Sequence, residues 1–146
     1  MSTREAELIA MIDNAFDGVV LGDGDSLNMT EYADSGGCAP EYAELAKHDE
    51  RVDWRAIAGS VLEQFQVTFC FTDLLGYRFY AAPYMIWTIK NHRDSDSFIA
   101  DATIYAMDPT RHQFSGKRFS DWFSPEQVHA ILAFLDYCAD NGDSLD

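Results

Sequence analysis

A twenty-residue segment near the middle of the chain, Leu74 to Arg93, contains no carboxylate. Carboxylates are dense on both sides of it: ten lie between Glu5 and Glu44, where Lys and Arg are absent, and six follow Phe119. The segment is instead rich in aromatic side chains, and protein cores exclude unpaired carboxylates. We therefore expect it to form the buried centre of the fold, with the acidic parts at the surface. A basic, aromatic binding segment is the alternative interpretation.

The bulk composition indicates one globular domain over residues 1–146. Apolar residues make up 47% of the chain and aromatic residues 14%, which is enough for a sizeable core. No apolar run approaches the ~20 residues of a membrane-spanning helix, and the first residues lack the pattern of a secretory signal. Three widely spaced cysteines, an odd number, favour a reducing compartment. We therefore expect a cytoplasmic protein that does not bind membranes.

The formal net charge of −15 restricts the partners of the chain. Phosphate backbones and anionic lipids would repel such a protein, so nucleic acid and membrane are not expected as partners. A basic protein would be attracted. Solubility alone is the simpler explanation of the same charge.

Local signals predict an all-α fold of about six helices. The clearest helix is the last, where Ser124 is the cap, Pro125 takes the first position and Gln127 closes a capping box. Apolar spacing and capping residues predict further helices, and Ser97 is expected to cap the one over residues 98–107. They are expected from the start of the chain to about residue 19, and over residues 27–33, 41–47, 54–65 and 98–107.

Residues 67–80 allow two interpretations. Their Val, Thr, Phe and Tyr content favours a β-hairpin and hence an α+β fold. Thr72 can instead cap a helix that continues through Leu75 and Phe79, with Pro83 kinking or restarting it. We favour the helix.

The aromatic residues around Arg78 are one candidate site for a ligand or a partner. An arginine among aromatic rings can stack, bind a carboxylate through two hydrogen bonds, or anchor an interface, although it can equally serve the structure alone. Asp101 is added to this candidate site because it interrupts an apolar helix. The simpler interpretation of Asp101 is an exposed position or an ion pair with Arg78 or Arg93. The candidate residues are Tyr77, Arg78, Tyr80, Tyr84, Trp87 and Asp101.

The base-free acidic stretch is the second candidate, as an interaction face for a basic protein. Its residues are Asp23, Asp25, Glu31, Asp34, Glu41 and Glu44. A calcium loop starting at Asp23 fits poorly, because Leu27 and Asn28 stand where an oxygen ligand and a glycine are needed. No histidine pair, nucleophile motif or phosphate-binding glycine loop is present, so neither metal, cofactor nor catalytic residue is indicated.

One phrase of the chain resembles a known family. The run Phe71-Thr72-Asp73, then Gly76 to Tyr80, then Pro83-Tyr84-Met85, followed by the Ser-Pro-Glu-Gln opening of the last helix, resembles a family of small acidic bacterial proteins of unknown function. A phrase like FRYYLPAYM is the hallmark of that family, and here Ala81-Ala82 replace the expected leucine before the proline. The resemblance implies a bacterial, intracellular protein and brings no activity.

These observations favour a non-enzymatic interaction module for a basic partner, such as an immunity-type inhibitor of a toxin. One alternative is a small-molecule binder or enzyme with a pocket for an anionic ligand near Arg78. Another is a homo-oligomeric structural protein whose aromatic segment is the self-interface. The sequence leaves the oligomeric state open.

Overall fold

The computed structural model describes residues 1–95, 98–110 and 118–142. Within these ranges the regular structure consists of nine α-helices and two 3₁₀ helices, Ala46–His48 and Trp54–Ala56, with no β-strand. Six of the nine have five residues or more, so the predicted all-α fold of about six helices is confirmed. The α-helices are α1 (Thr3–Ala15), α2 (Leu27–Asp34), α3 (Glu41–Leu45), α4 (Gly59–Leu62), α5 (Thr68–Phe71), α6 (Leu74–Asn91), α7 (Ile99–Met107), α8 (Phe119–Trp122) and α9 (Pro125–Asp140).

The chain divides into two compact units. One consists of residues 1–17 and 84–146, and the other of residues 18–83. The single domain expected from the composition stays a prediction.

In the unit of residues 1–17 and 84–146, both α1 and α7 pack on α9. Reciprocal capping boxes start the two longest helices that lie wholly in this unit. Ser2 Oγ accepts from the Glu5 N–H at 3.2 Å while Glu5 Oε1 accepts from the Ser2 N–H at 2.8 Å. Ser124 and Gln127 make the same pair of bonds, as predicted. The cap expected at Ser97 lies outside the described residues.

In the unit of residues 18–83, α2 packs against α3 and α5. The helix predicted over residues 54–65 is wrong as one element. The 3₁₀ helix Trp54–Ala56 ends where Ile57 and Ala58 adopt extended backbone angles, and only then does α4 begin. Two consecutive extended residues interrupt the helical hydrogen-bond ladder, which apolar spacing alone does not reveal.

The region left open by the sequence is helical, because residues 68–71 form α5 and α6 begins at Leu74. The hairpin therefore does not form. Asp73 is the cap of α6 instead of the predicted Thr72, since its Oδ1 accepts from the Gly76 N–H at 3.0 Å. Glycine is needed there, because a Cβ would lie 2.8 Å from the Asp25 carbonyl oxygen. Pro83 lies inside the helix, which continues to Asn91.

The buried side chains of both units are dominated by aromatic rings. The carboxylate-free segment is central to this burial: Tyr77, Phe79, Tyr80 and Met85 are all without exposed surface. The prediction of a buried middle segment is therefore confirmed for these positions. None of the helices in the described ranges combines the length and the apolar character needed to cross a bilayer.

Candidate functional site

Six carboxylates of the unit of residues 18–83 form what we call the acidic surface. Two lie in the loop before α2, two on α2 and two on α3, and α2 and α3 pack against each other. Every one of the six residues is partly or fully exposed. The acidic surface consists of Asp23, Asp25, Glu31, Asp34, Glu41 and Glu44.

The loop that carries Asp23 is held in place by its main chain. Arg51 Nη1 donates to the carbonyl oxygens of Gly22 and Gly24, at 2.8 and 3.0 Å. The Leu21 N–H also donates to the Arg51 carbonyl oxygen at 2.9 Å. The guanidinium thus rigidifies the loop while the Asp23 side chain remains exposed.

Asp25 is tied to the start of α6. Its N–H donates to Asp73 Oδ1 at 3.1 Å, and its carbonyl oxygen accepts from Thr72 Oγ1 at 3.0 Å. Burial raises the pKa of the Asp25 carboxyl, and the nearby Asp73 charge raises it further. A main-chain hydrogen bond with Asp73 and the charge of Arg51 act in the opposite direction and lower the pKa of Asp25, although less strongly.

The carboxylates on α2 and α3 receive little compensation from positive charges. Burial and the charge of Asp34 raise the pKa of Glu31, which is one helical turn earlier on α2. Glu44 pairs with Lys47 at 2.9 Å, but both side chains are exposed, and such pairs contribute only about 0–1 kcal/mol. Within the described ranges, Glu44 is the one member of the acidic surface that is in an ion pair.

A cavity of about 360 Å³ lies in the same unit. Two carboxylates, one histidine and one tyrosine line it together with aliphatic side chains, and neither Lys nor Arg is among the lining residues. The lining residues are Leu27, His48, Asp49, Glu50, Ala56, Ile57, Ala58, Val61 and Tyr80.

The polar residues of this cavity are fixed by hydrogen bonds. Asp49 accepts from the Asn28 main chain at 2.9 Å and from Asn28 Nδ2 at 2.7 Å. The Tyr80 hydroxyl accepts from the Leu27 N–H at 3.1 Å. Glu50 Oε2 accepts from the two N–H groups that follow it by two and three residues, which lowers the pKa of Glu50. Glu50 is therefore ionised at neutral pH.

The aromatic candidates are mostly packed in the protein interior. Tyr77 and Tyr80 are buried in the unit of residues 18–83, where Arg78 is half-buried. Tyr84 and Trp87 are buried in the other unit, at 2% and 4% exposure. Of these rings, Tyr80 lines the cavity described above. The binding role of the set stays a prediction.

Asp101 lies on the exposed side of α7, in its first turn. Arg93, one of the two arginines that the sequence offered as its ion-pair partner, instead binds Glu5. Within the described residues no group of three or more His, Cys, Asp and Glu side chains is placed to hold a metal ion.

Sequence reasoning missed a buried polar network in the unit of residues 1–17 and 84–146. The Tyr137 hydroxyl donates to Glu5 Oε2 at 2.5 Å, and Arg93 Nη1 donates to the same oxygen at 2.9 Å. His92 Nε2 lies 2.7 Å from the Tyr137 oxygen. Because the hydroxyl hydrogen goes to Glu5, His92 Nε2 must carry its own hydrogen and donate it to Tyr137.

The network stabilises Glu5 as an anion inside the protein. The Tyr137 hydroxyl, then the Ser2 N–H, then Arg93 hold the pKa of Glu5 far below its usual range. Burial first, and the bond to Glu5 second, raise the pKa of Tyr137 to about 12. Burial also lowers the pKa of His92. Glu5 and Tyr137 are each only 2% exposed, so a substrate has no access to them and their role is structural.

A single signal in the sequence pointed toward this network. Ser2 and Glu5 have the spacing of a capping box, which places the Glu5 carboxylate at the first turn of α1. Arg93 and Tyr137 are 88 and 132 positions away from Glu5, so no local pattern connects them.

A family model matches nearly the whole chain. It covers residues 4–146 and describes a family of unknown function, DUF6714. Comparisons with curated proteins and with solved structures found no match. The hallmark phrase and the bacterial origin implied by the resemblance stay predictions. The chain belongs to the family of unknown function DUF6714.

Proposed function

We propose that the chain is a non-enzymatic interaction module that binds a basic protein through the acidic surface. The observation that carries the proposal is the scarcity of ion pairs on this surface. Asp34 and Glu41 are exposed, and five of the six carboxylates have no ion-pair partner within the described residues.

Surface charge without ion-pair partners acts mainly on the rate of association and on which partner is selected. Field lines from clustered carboxylates steer a basic protein toward the surface and disfavour acidic competitors. The effect is screened over about 8 Å at physiological salt, so binding of this kind weakens as salt is added. The rigid Asp23 loop adds to the effect, because its charge needs no reordering on binding.

The concrete form of the proposal is a cytoplasmic inhibitor of a basic toxin, of the immunity-protein type. Charge complementarity is how a small protein of this kind would reach its target quickly, before the target acts.

The anionic-ligand alternative near Arg78 receives less support. The cavity that Tyr80 lines carries Asp49 and Glu50 and neither Lys nor Arg, so an anion there would be repelled. The self-association alternative requires exposed aromatic residues, and Tyr77, Tyr80, Tyr84 and Trp87 are buried. Light scattering after size exclusion tests that alternative directly.

The experiment compares two triple variants of equal charge. Glu31, Asp34 and Glu41 are changed to Lys in the test variant. Three exposed carboxylates outside the acidic surface, Glu7, Glu63 and Asp136, are changed to Lys in the control. Each immobilised protein is then incubated with lysate of the source organism at low and at high salt, and retained proteins are identified by mass spectrometry.

The proposal requires a basic protein that the native chain and the control retain at low salt and the test variant does not. Equal retention by both variants would refute it, because the position of the charge would then not matter. Circular dichroism of the variants verifies that the helices remain.

A further inference from the structure

We propose that the cavity lined by Asp49, Glu50 and Tyr80 binds an alkylammonium group, and that in the complex this group is a lysine side chain of the basic partner. The lysine assignment rests on the proposed function. The ammonium site does not, because the cavity, its walls and its charges belong to this chain alone.

The cavity has the size of a ligand site. Its volume of about 360 Å³ lies within the range of roughly 300–1,000 Å³ that is typical of small-molecule pockets. It admits an extended chain of several methylene groups with a charged end.

The walls of the cavity suit the two ends of such a ligand. Leu27, Ile57 and Val61 offer aliphatic surface to methylene groups. Asp49 and Glu50 offer hydrogen-bond acceptors to an ammonium group, which has three donors and no acceptor.

The acceptors are preorganised. Asn28 fixes Asp49 through two hydrogen bonds, and a carboxylate bound in this way still has lone pairs for a ligand. Main-chain N–H groups fix Glu50 and keep it ionised. Since neither carboxylate has to be ordered on binding, the entropic cost of holding the ammonium is reduced.

The same lining selects against other ligand classes. A carboxylate or phosphate would be repelled by Asp49 and Glu50, and no Lys or Arg lines the cavity to compensate. A neutral alcohol would fill the aliphatic part but would lose the charge-assisted bonds, which are about twice as strong as neutral ones. The lining therefore favours a cation with an apolar chain.

The test uses hexylamine as the probe, with hexan-1-ol and hexanoate as matched ligands of the same chain length. Binding is followed by amide chemical shifts in NMR spectra of the whole protein. We expect hexylamine to shift the signals of Ala56, Ile57 and Val61, and to bind about tenfold more tightly than hexan-1-ol. Equal binding of the alcohol, or shifts elsewhere only, would overturn the proposal.

Two variants probe the charge and the space separately. Glu50→Gln keeps an oxygen that can accept the main-chain bonds but removes the charge, and should weaken hexylamine binding about tenfold. Val61→Trp should abolish binding by filling the cavity. Glu63→Gln, an exposed carboxylate outside the lining, is the control and should leave binding unchanged. Unchanged affinity in Glu50→Gln would overturn the role of the charge even if Val61→Trp failed to fold.

A last comparison separates this inference from the proposed function. Val61→Trp leaves the acidic surface intact, so capture of a basic protein should weaken at least tenfold if its lysine enters the cavity. Hexylamine binding together with unchanged capture would overturn the lysine assignment and show a site for free amines. Loss of capture in the triple acidic variant is measured independently of both results.

Discussion

Tyr137→Phe removes a single oxygen from the buried network and leaves the ring in place. That oxygen donates to Glu5 at 2.5 Å and receives a hydrogen bond from His92 at 2.7 Å. After the change, Glu5 retains Arg93 and the Ser2 N–H as partners. His92 Nε2 loses its partner, in a side chain that is only 5% exposed.

The expected loss of stability follows from these two bonds. A hydrogen bond to a charged group contributes about 1.5–3 kcal/mol, and a neutral one about 0.5–1.5 kcal/mol. Together they predict that the free energy of unfolding falls by about 2–4.5 kcal/mol at pH 7. Domains are stable by only about 5–15 kcal/mol, so the change is large for the deletion of one atom.

Urea denaturation followed by circular dichroism measures this loss. Tyr42→Phe is the matched control, because the Tyr42 hydroxyl has no hydrogen bond within the described part of the chain. The control should change the free energy of unfolding by less than about 0.5 kcal/mol. A loss in Tyr137→Phe that is no larger than in the control would refute the structural role of the network.

The same variant should alter the pH dependence of stability. The pKa of Glu5 is lowered in the folded protein, so its contribution is present above the unfolded pKa, about 4.3, and is lost as pH falls through the lowered folded pKa. The unfolded states of the two proteins titrate alike, so the difference in stability between native protein and variant should stay constant near neutral pH. It should shrink only when the pH falls below the pKa of Glu5 in the folded variant, which loss of the Tyr137 hydroxyl raises above the native value. The pKa of Tyr137 is raised from 10.0 to about 12, so between these pH values the native protein should lose more stability than the variant. A difference that widens as the pH falls below 5 would contradict the assignment to Glu5.

Three further outcomes are expected. Gly76→Ala should lower the free energy of unfolding by about 1–3 kcal/mol in urea, although alanine favours helices, because its Cβ would overlap Thr72 and approach the Asp25 carbonyl oxygen. Asp34→Lys should raise the free energy of unfolding by about 0.3–1 kcal/mol, because a cation suits the last turn of α2, and the melting temperature should rise slightly with it. Cys138, whose pKa burial raises to about 12, should resist a thiol reagent in native protein while the two exposed cysteines react, as mass spectrometry of labelled peptides would show.

The parts of the fold that the sequence predicts well are those with local causes. Ser124, Pro125 and Gln127 determine the start of α9 through bonds within one turn, so their pattern alone is sufficient. The helical interpretation of residues 67–80 depended on a cap, and the structure moves that cap only from Thr72 to Asp73. The single turns α5 and α8 were not predicted, because four residues are too few for a periodic signal.

The candidate site likewise has a part that the sequence predicts and parts that it does not. The acidic surface could be predicted because the absence of Lys and Arg from residues 5–44 is visible in the sequence. The cavity could not, since it brings together Leu27, residues 48–50, residues 56–58, Val61 and Tyr80 from separate elements. The network around Glu5 depends on contacts over 88 and 132 positions, which packing creates and periodicity does not contain.

The carboxylates of the chain differ in what they do for its stability. Glu5, Asp49 and Asp73 accept hydrogen bonds that cap helices or hold segments together. Asp34 instead lies in the last turn of α2, where the helix dipole disfavours an anion, and its charge helps to raise the pKa of Glu31. A charge that lowers stability and repels its neighbour needs an explanation beyond folding, and solubility is served equally well by a carboxylate at the start of a helix. The unfavourable position of Asp34 therefore favours a partner for the acidic surface, and the Asp34→Lys variant should be more stable and bind that partner less well.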